Sequence, residues 1–142
     1  MLGNRSAIPV FVLTGFLGSG KTTLLQRLLR QPRLANTAVV INELGEIGID
    51  HHLVREVSEN VVLLPNGCLC CMVRDDLGVA LRQLLQDSLR HEREILERVI
   101  VETTGLADPV PIIHTLNTDP VVDETFRLHS VVTTVDGING HS

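Results

Sequence analysis

Tryptophan and tyrosine are missing from this 142-residue chain, and its only aromatic rings besides histidine belong to Phe11, Phe16 and Phe126. So few rings exclude a surface that stacks nucleobases on aromatic platforms. Lysine is almost as scarce, with Lys21 standing alone against eleven arginines. A net charge of −5 and no basic run leave no electrostatic footprint for a nucleic-acid backbone. Cysteine is confined to Cys68, Cys70 and Cys71. Three thiols packed so closely make no disulfide framework and predict a reducing, cytoplasmic setting. No apolar run reaches the roughly 20 residues of a membrane span. The polar opening at 1–6 reads as no secretory leader.

What is present is a chain 44% hydrophobic, long enough for one domain with a core. Its organising stretch is Gly15-Phe16-Leu17-Gly18-Ser19-Gly20-Lys21-Thr22. Apolar residues 8–14 read as a buried strand before it, and 23–30 carry a helical pattern stopped by Pro32. Strand, glycine-rich loop and helix in that order match the Walker A phosphate loop, GxxxxGK[ST]. The glycines let successive backbone N–H groups point inward at a polyphosphate. The helix that follows adds its positive N-terminal end. Lys21 is expected to reach the β- and γ-phosphates, and the Thr22 hydroxyl to hold Mg²⁺. A chain that otherwise uses arginine keeps lysine where a compact point charge must enter.

Further strands are expected at 37–42, 61–64, 98–102 and 131–136. Residues 43–54, with two glycines and three acids, follow neither period and read as a functional loop. Pro65-Asn66-Gly67 turns the chain into the cysteines. Asp75-Asp76 caps a helix with Leu77, Leu81, Leu84, Leu85 and Leu89 on one face. Arg82, Gln83, Gln86, Asp87 and Arg90 are placed on the other. A short helix is expected from about Pro109 to a stop before Pro120. Strands alternating with helices predict an α/β fold of the P-loop NTPase kind: a mostly parallel sheet with helices on both faces. Ligands of such sheets lie beyond the carboxyl ends of the strands. That rule gathers the phosphate loop, the acidic loop, the thiols and Glu102 at one edge.

Thiolates are soft ligands that favour Zn²⁺, Cu(I) or iron–sulfur clusters. Cys68 and Cys71 have the gap of a zinc knuckle, with Cys70 between them. Three thiols leave a tetrahedral ion one ligand short, and Glu43, Glu46, His51, His52 or water are candidates for the fourth. A redox dithiol is the other reading. Glu102, ending an apolar strand, fits the Walker B position that supports Mg²⁺. Gly105 is placed to offer its N–H to a γ-phosphate, as switch loops do. Asn42, Glu43 and Asp50 are further candidates for Mg²⁺ or water.

These residues together resemble the CobW family of GTP-binding metallochaperones, relatives of the UreG and HypB nickel-insertion GTPases. The resemblance rests on 15–23, on Asn42-Glu43-Leu44-Gly45-Glu46-Ile47-Gly48-Ile49-Asp50, on Gly67-Cys68-Leu69-Cys70-Cys71 and on 102–109, with 131–136 like the next family strand. It implies a Mg²⁺-dependent GTPase that delivers Zn²⁺ or Co²⁺ to a client protein. By the same resemblance Gly15, Gly18, Ser19, Gly20, Lys21, Thr22, Thr23 and Gly105 bind nucleotide. Lys21, Glu102 and Glu43 serve catalysis, Thr22 and Glu102 hold Mg²⁺, and Cys68, Cys70 and Cys71 hold the transported ion. No Asn-Lys-x-Asp guanine-reading motif is present, since the one lysine is Lys21. Residues 1–142 therefore read as the N-terminal portion of a P-loop GTPase domain, without the guanine-reading strand and the C-terminal domain. An unpaired sheet end predicts self-association into a homodimer. A small-molecule P-loop phosphotransferase and a non-catalytic zinc-binding fragment are the alternative functions.

Overall fold

The computed structural model describes residues 7–15, 21–41, 55–58, 61–64, 68–72, 77–90, 96–103 and 110–134. Among the described residues seven strands form one sheet: β1 (Ile8–Gly15), β2 (Thr37–Ile41), β3 (Arg55–Ser58), β4 (Val61–Leu63), β5 (Leu69–Met72), β6 (Arg98–Glu102) and β7 (Phe126–Thr134). Their order is β3-β4-β5-β2-β6-β1-β7. The run from β5 to β7 is parallel, and β3 and β4 join antiparallel. The helices are α1 (Lys21–Leu28), α2 (Leu77–Arg90), α3 (Val110–Thr118) and α4 (Pro120–Thr125). Among the described residues no helix is long and apolar enough to cross a membrane.

Central strands buried on both faces read as continuous apolar runs, and β2 is buried at every position. The pleat sends alternate residues to two cores. On one face Val10, Ala38, Val40, Cys71, Val99 and Val101 pack with Leu81 and Leu84 of α2, Leu116 of α3 and Val122 of α4. On the other, Leu13, Val39, Ile41, Cys68, Cys70 and Ile100 pack with Leu25 and with Leu29, just past α1. Side chains as buried as Leu25, Leu81 and Leu84 each contribute about 1.5–3 kcal/mol. The expected α/β architecture with helices on both faces is the one observed.

Four local expectations are corrected. Cys70 and Cys71 lie in a strand of their own, β5, antiparallel to β4, with Cys68 just before it; the expected turn at 65–67 lies outside the described residues. Five residues between Leu63 and Leu69 are too few for the crossover that parallel strands need. The Leu64 amide closes the hairpin by donating to the Cys68 carbonyl at 2.9 Å. Residues 55–58 add the edge strand β3, which short polar sequence did not mark. The helix before Pro120 is followed by a second one, because Pro120 takes the first helical position and the Asp119 carboxylate accepts from the amides of Val121 and Val122 at 3.1 and 3.3 Å. The last strand consequently begins at Phe126, directly after α4, and not at 131. Asp87, assigned to the polar face of α2, is fully buried. It stands three residues from Leu84 and seven from Ala80, which puts it on the core stripe by helical period.

Candidate nucleotide and metal site

β1 carries the chain to the sheet edge and ends at Gly15, whose φ of 148° is a backbone that a Cβ would disfavour. Helix α1 starts at Lys21. The strand and helix flanking the predicted phosphate loop are therefore both present. Gly18, Ser19 and Gly20 lie outside the described residues. Lys21 and Thr22 occupy the first two positions of α1, where the helix end is positive, and Thr23 next to them is exposed.

Glu102 is the last residue of β6, half-buried, in register with Leu13 of the neighbouring β1. Leu13 and Ile100 belong to the α1-side core. Alternation along β6 thus puts Glu102 on the face of the sheet that α1 covers. Thr103 follows it and is tied to β1 by its amide, which donates to the Leu13 carbonyl at 3.0 Å. Helix α1 thus opens over the same face of the sheet that Glu102 takes at the end of β6. Asn42, Glu43, Glu46, Asp50, His51, His52 and Gly105 lie outside the described residues.

The three thiols are all buried, with Cys68 and Cys70 at 0% and Cys71 at 2% exposure. The pleat divides them. Cys68 and Cys70 face the α1 side, while Cys71 faces α2. Among the described residues no three His, Cys, Asp or Glu side chains are grouped to hold a metal ion. Nor do the thiols sit together at the carboxyl edge. Leu69 is level with Ala38, so Cys68 is level with Thr37 and Arg98. That is four residues from the level of Glu102, about 13 Å along the strand direction. A hydrogen bond with Cys68, then burial, then the charges of Cys68 and Cys71 push the Cys70 thiol well above its ordinary value. Burial, and after it the Asp87 carboxylate, push Cys71 up to about 11. These effects favour the protonated forms of Cys70 and Cys71.

Asp87 is the site-neighbouring residue that sequence reasoning missed. Its Oδ2 accepts from Gln83 Nε2 at 3.2 Å, one helical turn back. The signal was there in its spacing from Leu84 and Ala80, overridden by the expectation that aspartate faces water.

The family profile described as "CobW/HypB/UreG, nucleotide-binding domain" matches residues 9–141. The chain is 39% identical over 132 residues to the "Zinc chaperone YjiA" of Escherichia coli, covering 93% of this chain and 41% of that protein. It is 36% identical over 135 residues to the "Zinc-regulated GTPase metalloprotein activator 1" of Schizosaccharomyces pombe, covering 91% of this chain and 32% of that one. The crystal structure of Zn(II)-bound YjiA GTPase from E. coli superposes with a TM-score of 0.74 at 36% identity, over 91% of this chain and 40% of that one. The chain thus spans about two fifths of the YjiA length and a third of the yeast activator. By the extent of the profile match, the chain belongs to the CobW/HypB/UreG nucleotide-binding domain family.

Proposed function

We propose that this chain is the nucleotide-switched part of a metallochaperone. It binds GTP with Mg²⁺, hydrolyses it, and passes Zn²⁺ or Co²⁺ to a client metalloprotein in the cytoplasm. The observation that carries this reading is the meeting of three parts at one sheet edge: Gly15 at the turn out of β1, the start of α1 at Lys21, and Glu102 on the adjacent strand facing α1. Lys21 and the N–H groups of Gly15, Gly18, Ser19 and Gly20 hold the phosphates, with Thr23 and Gly105 beside them. Thr22 and Glu102 hold Mg²⁺, which neutralises the charge on the phosphates. Glu43 orients the attacking water.

The ion is cargo, taken by the thiolates of Cys68, Cys70 and Cys71. Cys68 and Cys70 share a face and form the first half of that site. Cys71 reaches the same ion when β5 turns out of its pleat. The zinc named in the relatives supports Zn²⁺ as the cargo. Nucleotide state and metal affinity are then linked reciprocally. The outer position of β7, with Val131 and Val132 39% and 44% exposed, supports pairing of two copies.

The test is a Co²⁺ titration followed by cobalt–thiolate absorbance, with no nucleotide, with Mg²⁺-GDP, and with Mg²⁺ and a non-hydrolysable GTP analogue. A band whose midpoint moves with nucleotide is expected. A band indifferent to nucleotide leaves two sites without a switch and overturns the coupling.

A further inference from the structure

Two consecutive carbonyls at the end of β1 are held from opposite sides by threonines. The Leu13 carbonyl accepts from both the amide and the hydroxyl of Thr103, at 3.0 and 3.3 Å. The Thr14 carbonyl accepts from the hydroxyl of Thr134 at 3.3 Å. Thr103 directly follows β6 and Thr134 ends β7, the two strands that flank β1. The next residue is Gly15, where the backbone leaves the strand with a φ of 148°. Both hydroxyls therefore act on the last peptide groups before the phosphate loop.

We propose that Thr103 and Thr134 are positioning residues that fix the root of the phosphate loop. The inference rests on the nucleotide-binding reading above and adds the groups that set the loop's direction. A loop that binds phosphate through backbone N–H groups works only if those groups already point at the anion. Its glycines give it freedom that must be removed at the ends. At the far end α1 removes it. At the near end the inter-strand ladder ties the amide and carbonyl groups of β1, but not the torsions through which the chain turns out. The two hydroxyls add a second bond to Leu13 and a side-chain bond to Thr14 at that point. Thr103 is buried and directly follows Glu102. The same residue therefore sets the loop root and the end of the strand bearing the Mg²⁺-supporting carboxylate, keeping the two in register.

Valine has the shape of threonine without the hydroxyl, and serine restores the hydroxyl without the methyl. Thr103→Val, Thr134→Val and the two serine variants are compared with the unaltered 142-residue chain. Affinity for Mg²⁺ with a fluorescent GDP, and melting temperature without nucleotide, are measured for each. The expected result is an affinity about three- to tenfold weaker in each valine variant, recovery in the serine variants, and no parallel fall in melting temperature. Unchanged affinity in folded valine variants overturns the proposal. So does a loss that follows melting temperature and is not rescued by serine. If Thr103→Val does not fold, the half-buried Thr134 decides the matter by the same criteria. Absence of GDP binding by the unaltered chain overturns the nucleotide reading itself, which separates the two failures.

Discussion

Cys70 and Cys71 are neighbours in sequence but lie on opposite faces of β5, one in the core beneath α1 and the other beneath α2. Strand geometry imposes this, because successive side chains alternate across a pleated sheet. A tetrahedral ion cannot take both from the flat strand. Under the proposed reading the ion is taken first by Cys68 and Cys70, and Cys71 joins at the cost of distorting β5. Replacing Cys68 or Cys70 with Ser is therefore expected to weaken Zn²⁺ binding by more than about tenfold, the loss of one ligand's net binding energy. Cys71→Ser is expected to cost less. Competition against a chromophoric chelator measures all three, and an equal or greater loss for Cys71→Ser sinks the ordering.

The thiols also predict a pH dependence of metal uptake. Cys70 and Cys71 are both held protonated, by burial and by neighbours. Since the ion binds thiolates, each cysteine engaged releases a proton. Zn²⁺ affinity is expected to rise with pH across the neutral range, with a slope approaching the number of thiols engaged. Calorimetry in buffers of different ionisation enthalpy counts the released protons. A pH-independent affinity would contradict thiol ligation.

Cys71 further links stability to alkaline pH. Its pKa rises from 9.0 to about 11 in the folded chain, first through burial and second through the Asp87 carboxylate. The folded state then keeps the proton longer than the unfolded state. Its stabilising contribution is complete below pH 9 and is lost as pH climbs through 11. In a chain with Cys68 and Cys70 replaced by Ser, thiolate ultraviolet absorbance reports Cys71 alone. Asp87→Asn is expected to lower the midpoint while leaving it above 9.0, since burial persists. A midpoint that does not move would show that Asp87 exerts no field at the thiol.

At the phosphate loop, Lys21→Ala is expected to weaken nucleotide binding by at least tenfold, the loss of a charge-assisted contact to phosphate. Glu102→Gln is expected to leave GDP affinity within a few-fold. Its loss appears in the Mg²⁺ concentration needed for hydrolysis and in the rate. Calorimetry and phosphate release separate the two. Unchanged nucleotide affinity in Lys21→Ala would remove the lysine from the site.

Asp119 serves α4 and α2 at once, capping the first with Oδ1 and pairing with Arg82 of the second through Oδ2 at 2.8 Å. Asp119→Ala is expected to destabilise the chain by about 1–2 kcal/mol through the lost cap. Arg82, with its side chain 47% exposed, is expected to cost under about 1 kcal/mol when replaced by Ala. Urea unfolding decides between them, and equal losses would mean that the ion pair, not the cap, carries the stability.

The frame of the site was legible because its chemistry is local in the chain. The places of Gly15 at the end of an apolar strand, Lys21 at the start of a helix and Glu102 at the end of another strand can each be read from a few residues. The cysteine strand was less legible. Cys68-Leu69-Cys70-Cys71 reads equally as a loop cluster or a short strand, since a four-residue apolar run has no period of its own. Pairing with Val39 and Val40 of β2 decides for the strand. Asp87 was misread because composition outweighed spacing, and β7 because Pro120 looked like a stop when it was a start.

By itself the sequence determined the α/β class, the strand and helix that flank residues 16–20, and the presence of three thiols within four residues. Those are properties of residue type and short-range order. Only the tertiary structure decided which strand lies beside which, and with it that Glu102 neighbours β1, that Thr103 and Thr134 grip the loop root from two sides, and that the thiols part between two cores. Each depends on hydrogen-bonded register between segments up to 120 residues apart, as between Thr14 and Thr134. Register is fixed by the joint burial of both faces of the sheet, a constraint no single segment carries.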